Sequence, residues 1–132
     1  MDCIFCKIIS GEIPCYKLYE DDKTLVFLDI ENDVEGHCLV VPKQHVSDMD
    51  ECTQQQYLDV MKTAKMMVRH FLNLGYDGAN LVTNCKPAAG QAVGHFHVHV
   101  FPRKANDGAK LVMNKASKTS DLNEIVKKLR VK

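Results

Sequence analysis

Apolar runs that predict β-strands occur at five places along the chain. Those at 16–20 and 24–30 are rich in aromatic and β-branched residues, and the short polar segment between them suits a hairpin turn. A third run at 37–42 ends on a proline, and runs at 79–84 and 95–101 flank a loop rich in glycine and alanine. Because the loop between the last two runs is short, these strands are predicted to be antiparallel neighbours.

Between the third and fourth runs, apolar residues recur at steps of three and four, which predicts a long helix. Its apolar stripe consists of Tyr57, Val60, Met61, Ala64, Met67, Val68 and Phe71. Thr53 and Gln56 form a capping-box pattern at its start, and Gly75 can supply the left-handed residue at its end. Shorter helical patterns lie at 5–9 and, after Ser120 as a candidate N-cap, at 122–129.

Length and composition are those of a single globular domain. The chain has 132 residues, of which 45% are hydrophobic, and 17 basic residues balance 17 acidic ones. This balance gives no broad positive field, so we expect no nucleic-acid partner. The sequence shows neither a secretory signal nor the roughly 20 apolar residues of a membrane span. We therefore expect a cytoplasmic protein without a membrane partner, whose six cysteines are free thiols or metal ligands.

Three histidines alternate along the last predicted strand. His95, His97 and His99 should share one face, and the apolar residues between them should pack on the long helix. Such histidines can bind a metal, transfer protons or attack an electrophile, so a zinc metallohydrolase is one alternative. The preceding loop, 90–94, instead offers backbone amides and one carboxamide, groups that bind phosphate oxygens, and no acidic residue stands nearby as a general base. Phosphate chemistry is favoured.

The pair Cys3 and Cys6 has the spacing of half a tetrahedral zinc site. A redox pair is the main alternative, but that chemistry expects a strand before the cysteines, and only two residues precede them. The other two ligands would be distant histidines. His45 and one member of the triplet are candidates, while His37 and His70 are less favoured.

Together these motifs resemble the histidine triad (HIT) superfamily, in particular zinc-containing bacterial-type HIT proteins related to the Hint and Fhit branches. The segment from His95 to Phe101 matches the His-φ-His-φ-His-φ-φ signature. Other matching segments, in the usual order, are Cys3-Ile4-Phe5-Cys6-Lys7-Ile8, Glu12-Ile13-Pro14, Glu20-Asp21-Asp22, Phe27-Leu28-Asp29-Ile30, Gly36-His37, Leu39-Val40-Val41-Pro42-Lys43-Gln44-His45 and Gly90-Gln91. The resemblance covers roughly Asp2 to Lys104.

The resemblance implies an α+β, HIT-like two-layer fold. Such a fold would have a five-stranded antiparallel sheet that carries one long and one or two short helices and continues across a homodimer. The HIT domain would span 1–104. A C-terminal extension, 105–132, would carry the short amphipathic helix and pack on the body or on a partner subunit.

The resemblance also implies the reaction. His97 would attack the α-phosphorus of a small purine nucleotide compound and form a nucleotidyl-histidine that water then hydrolyses. His99 and His37 would orient the nucleophile and the phosphate, with Gln91 as the fourth catalytic residue. The substrates would be nucleoside phosphoramidates, dinucleoside polyphosphates or nucleotidyl conjugates.

Further roles follow from the same resemblance. Asn84 and Gln91 would hydrogen-bond phosphate or leaving-group oxygens, and the amide of Val93 would help to bind the phosphate. Asp29 would accept hydrogen bonds from the ribose hydroxyls. The base slot would be lined by Phe5, Ile8, Phe27, Ile30 and Leu39, for which an ordinary core position is the alternative. A structural zinc ion would be held by Cys3, Cys6, His45 and His95.

One departure from the pattern bears on the substrate. The Hint branch, which hydrolyses adenosine phosphoramidates, usually has a serine where this chain has Ala92, and that serine can assist the amine leaving group. Efficient phosphoramidase activity is therefore less expected than cleavage of polyphosphates or conjugates. A non-catalytic nucleotide-binding or interaction module is the remaining alternative.

Overall fold

The computed structural model describes residues 2–31, 34–111 and 121–131. Its elements are α1 (Ile4–Ile9), β1 (Lys17–Glu20), β2 (Thr24–Leu28), β3 (Cys38–Pro42), α2 (Gln54–Asn73), β4 (Gly78–Val82), a 3₁₀ turn (Pro87–Ala89), β5 (Val98–Arg103) and α3 (Leu122–Leu129). All the predicted strands and helices are present. None of the helices in the described ranges has the length and apolar character that a membrane-spanning segment needs.

The five strands form one antiparallel sheet in the order β1-β2-β3-β5-β4. The first three strands make a contiguous meander, and β5 is inserted between β3 and β4. In register, Leu39 lies opposite His99 and Val40 opposite Val98. The predicted five-stranded α+β architecture is therefore confirmed for one chain.

Side-chain alternation in the sheet creates two apolar layers. On one face, Val26 and Val40 pack with Phe96, Val98 and Val100 against the stripe of α2. On the other face, the short helix α1 covers the sheet through Phe5. The buried residues of this second layer are Cys3, Phe5, Leu25, Phe27, Leu39 and Val41. The capping box of α2 is also present, because Thr53 and Gln56 exchange side-chain and backbone hydrogen bonds.

The last strand begins and ends later than predicted. His95 and His97 precede β5 in a segment whose Phe96 amide donates to the carbonyl of Val46 at 2.7 Å instead of pairing with β3. Pro102 lies inside the strand, not at its end, and is opposite Ala79 of β4. Proline is tolerated there because the ladder with β3 ends at Val100, so no donor is required on that side.

The C-terminal helix α3 confirms the amphipathic pattern, but it is not packed on the body. Asp121 caps it by accepting a hydrogen bond from the Asn123 amide, whereas the predicted cap Ser120 lies outside the described residues. None of its residues is buried, and Leu122 and Leu129 are each 67% exposed. Packing of the extension on a partner subunit stays a prediction.

Candidate active site

His97 is a buried imidazole with a fixed orientation. Its Nδ1 lies 2.7 Å from the carbonyl oxygen of His95, so Nδ1 carries the proton and donates it, and Nε2 keeps the lone pair. Burial lowers the pKa of His97, which keeps the ring neutral near neutral pH. The edge of the Phe5 ring packs against it with centroids 5.2 Å apart. A neutral, oriented imidazole can act as a nucleophile.

His99 and His37 form a pair of imidazoles beside His97. The Nδ1 atom of His99 lies 2.9 Å from Nε2 of His37, and the rings of His97 and His99 are 5.0 Å apart. Burial lowers the pKa of His99 to about 4, so His99 is neutral at pH 7. Phe101 stacks on His37 at 4.1 Å, and Asp29 reaches to 3.7 Å from its Nε2. The structure thus brings His37, His97, His99 and Asp29 together, and their roles stay predictions.

The glycine-rich loop before the histidines is held by its own side chains. The carboxamide of Gln91 accepts a hydrogen bond from the Lys86 amide at 2.8 Å, and it donates to the carbonyls of Ser47 and Val93 at 2.7 and 3.0 Å. Gln91 therefore shapes the loop in this structure, a role that the sequence did not predict. Asn84 lies across the loop at Gly90, where its Nδ2 is 3.9 Å from the position of an added Cβ.

The sequence did not predict one contact to the backbone of His97. Thr83 follows β4 and donates through its hydroxyl to the carbonyl oxygen of His97 at 2.8 Å. Because Val82 lies opposite His99 in the sheet, the pairing register of β4 with β5 would have indicated this contact.

The residues predicted for the base slot separate into two groups. Phe5, Phe27 and Leu39 are at most 6% exposed and belong to the second apolar layer, and Ile8 is partly buried against them. Ile30 is 88% exposed and is not packed in that layer. Phe5 is nevertheless at the site, because it contacts the rings of both His95 and His97.

The four predicted zinc ligands converge in one place. The metal-binding atoms of Cys3, Cys6, His45 and His95 all lie within 4.8 Å of one another. Cys3 Sγ is 3.4 Å from Nδ1 of His95, Cys6 Sγ is 3.3 Å from Nδ1 of His45, and the two Nδ1 atoms are 3.1 Å apart.

These separations fit a tetrahedral zinc ion. With usual Zn–S and Zn–N bond lengths, the edges of such a tetrahedron are about 3.3 to 3.8 Å. The other ring nitrogen of His95, Nε2, lies 2.9 Å from the carbonyl of Pro42 and donates to it, so Nδ1 is free to coordinate. The donor set therefore suits zinc in both chemistry and spacing.

Most of the chain matches a known protein family. The HIT domain family model matches residues 10–106. The chain belongs to the histidine triad (HIT) family. This confirms the resemblance that the sequence motifs indicated.

Several HIT relatives cover most of the chain. It is 43% identical to an uncharacterized HIT-like protein of Methanocaldococcus jannaschii, over 97% of this chain and 98% of the relative. It is 39% identical to an adenosine 5'-monophosphoramidase of Schizosaccharomyces pombe, over 78% of this chain and 75% of that enzyme. An adenylylsulfatase of Arabidopsis thaliana is 40% identical over 80% of this chain and 54% of its own length. These relatives confirm the predicted class of HIT-type nucleotide hydrolase.

Solved HIT structures confirm the fold. A Streptococcus mutans protein superimposes with a TM-score of 0.83 at 38% identity, covering 96% of this chain and 80% of its own. A Zn-bound histidine triad family protein of Mycobacterium smegmatis gives a TM-score of 0.78 at 37% identity, covering 81% and 78% of the two chains.

Proposed function

We propose that this HIT enzyme cleaves purine nucleotide compounds at the α-phosphorus through a covalent intermediate on Nε2 of His97. The observation that carries the proposal is the short hydrogen bond from Nδ1 of His97 to the His95 carbonyl, which leaves Nε2 unprotonated. Burial keeps the ring neutral, and Thr83 fixes the backbone from which it projects. The nucleophile needs no separate base.

The reaction would have two displacements. In the first, Nε2 of His97 forms a bond to the α-phosphorus as the bond to the leaving group breaks, and the leaving group takes the electron pair. In the second, water attacks the same phosphorus, the P–N bond breaks and the nucleoside monophosphate is released. His99 and His37 lie beside the nucleophile, where they would orient it and the phosphate.

The nucleotide would extend from the histidines toward Asp29 and Phe5. Asp29 would accept the ribose hydroxyls, and the base would lie against Phe5, Ile8, Phe27, Ile30 and Leu39. On the phosphate side, Asn84, Gln91 and the amide of Val93 would hold phosphate or leaving-group oxygens. Of these, Gln91 acts in the structure by shaping the loop.

The substrate would carry a good leaving group on its α-phosphorus, which the first displacement expels. One relative is named a phosphoramidase and another an adenylylsulfatase. Here Ala92 supplies no hydroxyl to assist an amine, so we propose that polyphosphates and nucleotidyl conjugates are better substrates than phosphoramidates. A panel that spans these three classes would rank them.

We also propose a structural zinc ion at Cys3, Cys6, His45 and His95. Bound there, zinc would tie α1 to the segment that precedes β5 and add to the stability of the fold. Four protein ligands close the coordination shell and leave no position for a catalytic water, which favours this role over a zinc metallohydrolase. Metal analysis of the purified chain tests the proposal: we expect one zinc per chain, lost in Cys6→Ser and retained in Cys15→Ser.

A homodimer in the cytoplasm completes the proposal. The strand β4 lies at the edge of the described sheet, and its Leu81 is 40% exposed, so a second copy could extend the sheet there. Light scattering would give the mass of the particle in solution, and a monomeric wild-type protein would contradict the proposed homodimer.

The proposed location is the cytoplasm, because six free cysteines agree with a reducing compartment. The boundary between a HIT domain at 1–104 and an extension at 105–132 is also proposed, because the resemblance to the HIT family ends near Lys104.

A trapping experiment tests the nucleophile. The chain is incubated with an adenylyl compound labelled at its α-phosphate and quenched in alkali, in which phosphohistidine survives. Label should appear on the peptide that contains His97 and be absent from His97→Asn, while the exposed His70→Asn serves as the matched control. Nucleotide binding without turnover or labelling across the panel would instead indicate a non-catalytic binding module.

A further inference from the structure

Lys86 adopts a backbone conformation that other residues avoid. It lies at the start of the 3₁₀ turn with φ of 79° and ψ of 156°, a region that is essentially restricted to glycine. Any side chain here strains the backbone, so the chain carries a lysine where glycine would fit more easily. The Lys86 side chain must therefore make an interaction that outweighs the strain.

That interaction is an ion pair with a buried carboxylate. The Nζ atom of Lys86 lies 2.6 Å from Oδ2 of Asp48, whose side chain is only 6% exposed. Asp48 also accepts a hydrogen bond from the Glu51 amide at 3.0 Å. The hydrogen bond from Lys86 is the main reason that the pKa of Asp48 is lowered. The nearby Asp50 is less engaged, since it is 3.7 Å from Nζ and 67% exposed.

The same lysine also holds Gln91 through its backbone. Its amide donates to the carboxamide oxygen of Gln91, while the nitrogen of that carboxamide donates to Ser47, the residue next to Asp48. Two links thus join the segment at 47–48 to the loop, one through the ion pair and one through Gln91. The loop continues directly to Val93 and the histidines.

We propose that Lys86 is a positioning residue for the reaction, and this inference rests on the proposed function. By pairing with Asp48, it fixes the loop that Gln91 braces, so that the amide of Val93 stands where phosphate or leaving-group oxygens arrive. Lys86 itself does not contact the reacting atoms. Its removal should therefore lower kcat, because attack by His97 depends on how the phosphate is held.

Kinetics of five variants test this role on the best substrate of the panel. Lys86→Gln and Asp48→Asn should each lower kcat about 10- to 100-fold. The double variant should fall no further than either single variant, because both changes remove one interaction. Lys86→Arg should restore kcat to within about threefold of wild type, since it keeps the charge. Asp50→Asn is the matched control and should retain wild-type kcat and KM.

A merely structural role would predict a different result. Lys86→Gln would then lower the melting temperature but leave kcat per folded molecule unchanged, and this outcome overturns the inference. Additive losses in the double variant would overturn it as well, since the two residues would act separately.

A measurement without substrate separates this inference from the proposed function. Hydrogen exchange of the Gln91 carboxamide, followed by NMR, should be about tenfold faster in Lys86→Gln and Asp48→Asn than in wild type or Asp50→Asn. If wild type fails to turn over any substrate, the proposed function fails, whereas unchanged exchange in Lys86→Gln overturns the role of Lys86 in either case.

Discussion

Acid should destabilise this protein through His99. Burial lowers the pKa of His99 from 6.5 to about 4, with His97 and His37 acting in the same direction and Asp29 opposing them. Between these two pKa values the unfolded chain binds a proton that the folded chain does not. Acid therefore favours the unfolded state, and stability is lost as the pH falls from 6.5 toward 4.

The size of the effect follows from the two pKa values. At pH 5 the unfolded imidazole is almost fully protonated and the folded one is mostly neutral, which corresponds to a loss of about 2 kcal/mol relative to pH 7.5. Because His99 retains partial contact with solvent, we expect the measured loss to be about 1 to 2 kcal/mol.

Urea unfolding of wild type and His99→Gln at pH 7.5 and pH 5 would measure this loss. The chain contains no tryptophan, so circular dichroism of the helices is the suitable signal. Wild type should lose about 1 to 2 kcal/mol more than His99→Gln on acidification, and His70→Gln, which changes an exposed histidine, should behave like wild type. Equal losses in wild type and His99→Gln would refute the reasoning.

Three further predictions concern stability. Gly36→Ala should lower the free energy of unfolding by about 2 kcal/mol, because φ is +89° at this position and the new Cβ would lie 2.8 Å from Cγ of Pro102. Thermal unfolding would measure this loss, and an unchanged melting temperature would contradict the prediction. Met67→Ala should lower the free energy of unfolding by about 2 to 5 kcal/mol, because Met67 of α2 is 2% exposed and packs in the layer between α2 and the sheet. A loss below about 1 kcal/mol in chemical denaturation would contradict this packing. Thr63→Val should cost about 1 kcal/mol in the same assay, because it removes the buried 2.8 Å hydrogen bond to Thr24, whereas Thr63→Ser should keep the bond and most of the stability.

Local patterns predicted most of the fold. The capping box at Thr53 and Gln56 and the apolar stripe after it indicated α2, including the hydrogen bonds at its N-terminus. These patterns could be recognised because the residues that interact are only three or four positions apart. The strands were found by composition, but their ends were less well predicted. The start of β5 at Val98 depends on a distant partner, because the Phe96 amide bonds to the carbonyl of Val46 and does not pair with β3, although β3 continues to Pro42.

The site was predicted in its residue types more than in its contacts. Cys3 and His95 are separated by 92 positions, so no spacing rule links them, and the family resemblance supplied the pairing. The hydrogen bonds of Gln91 were missed because Ser47 comes from a distant segment. The role of Lys86 was missed because the usual sequence signal for a positive φ is glycine.

The order of strands in the sheet has a consequence for how the enzyme is made. The strands β1, β2 and β3 are contiguous in sequence and can pair as soon as they are synthesised. The pairing of His37 with His99 joins residues 62 positions apart and requires β5 to enter between β3 and β4, which is slow in folding because it closes a long loop. A ribosome-bound chain that ends before β5 therefore has its meander and His97 but lacks His99 and the strand that joins these histidines to the sheet. Catalytic competence is acquired in a single late event, when the final strand of the sheet takes its place.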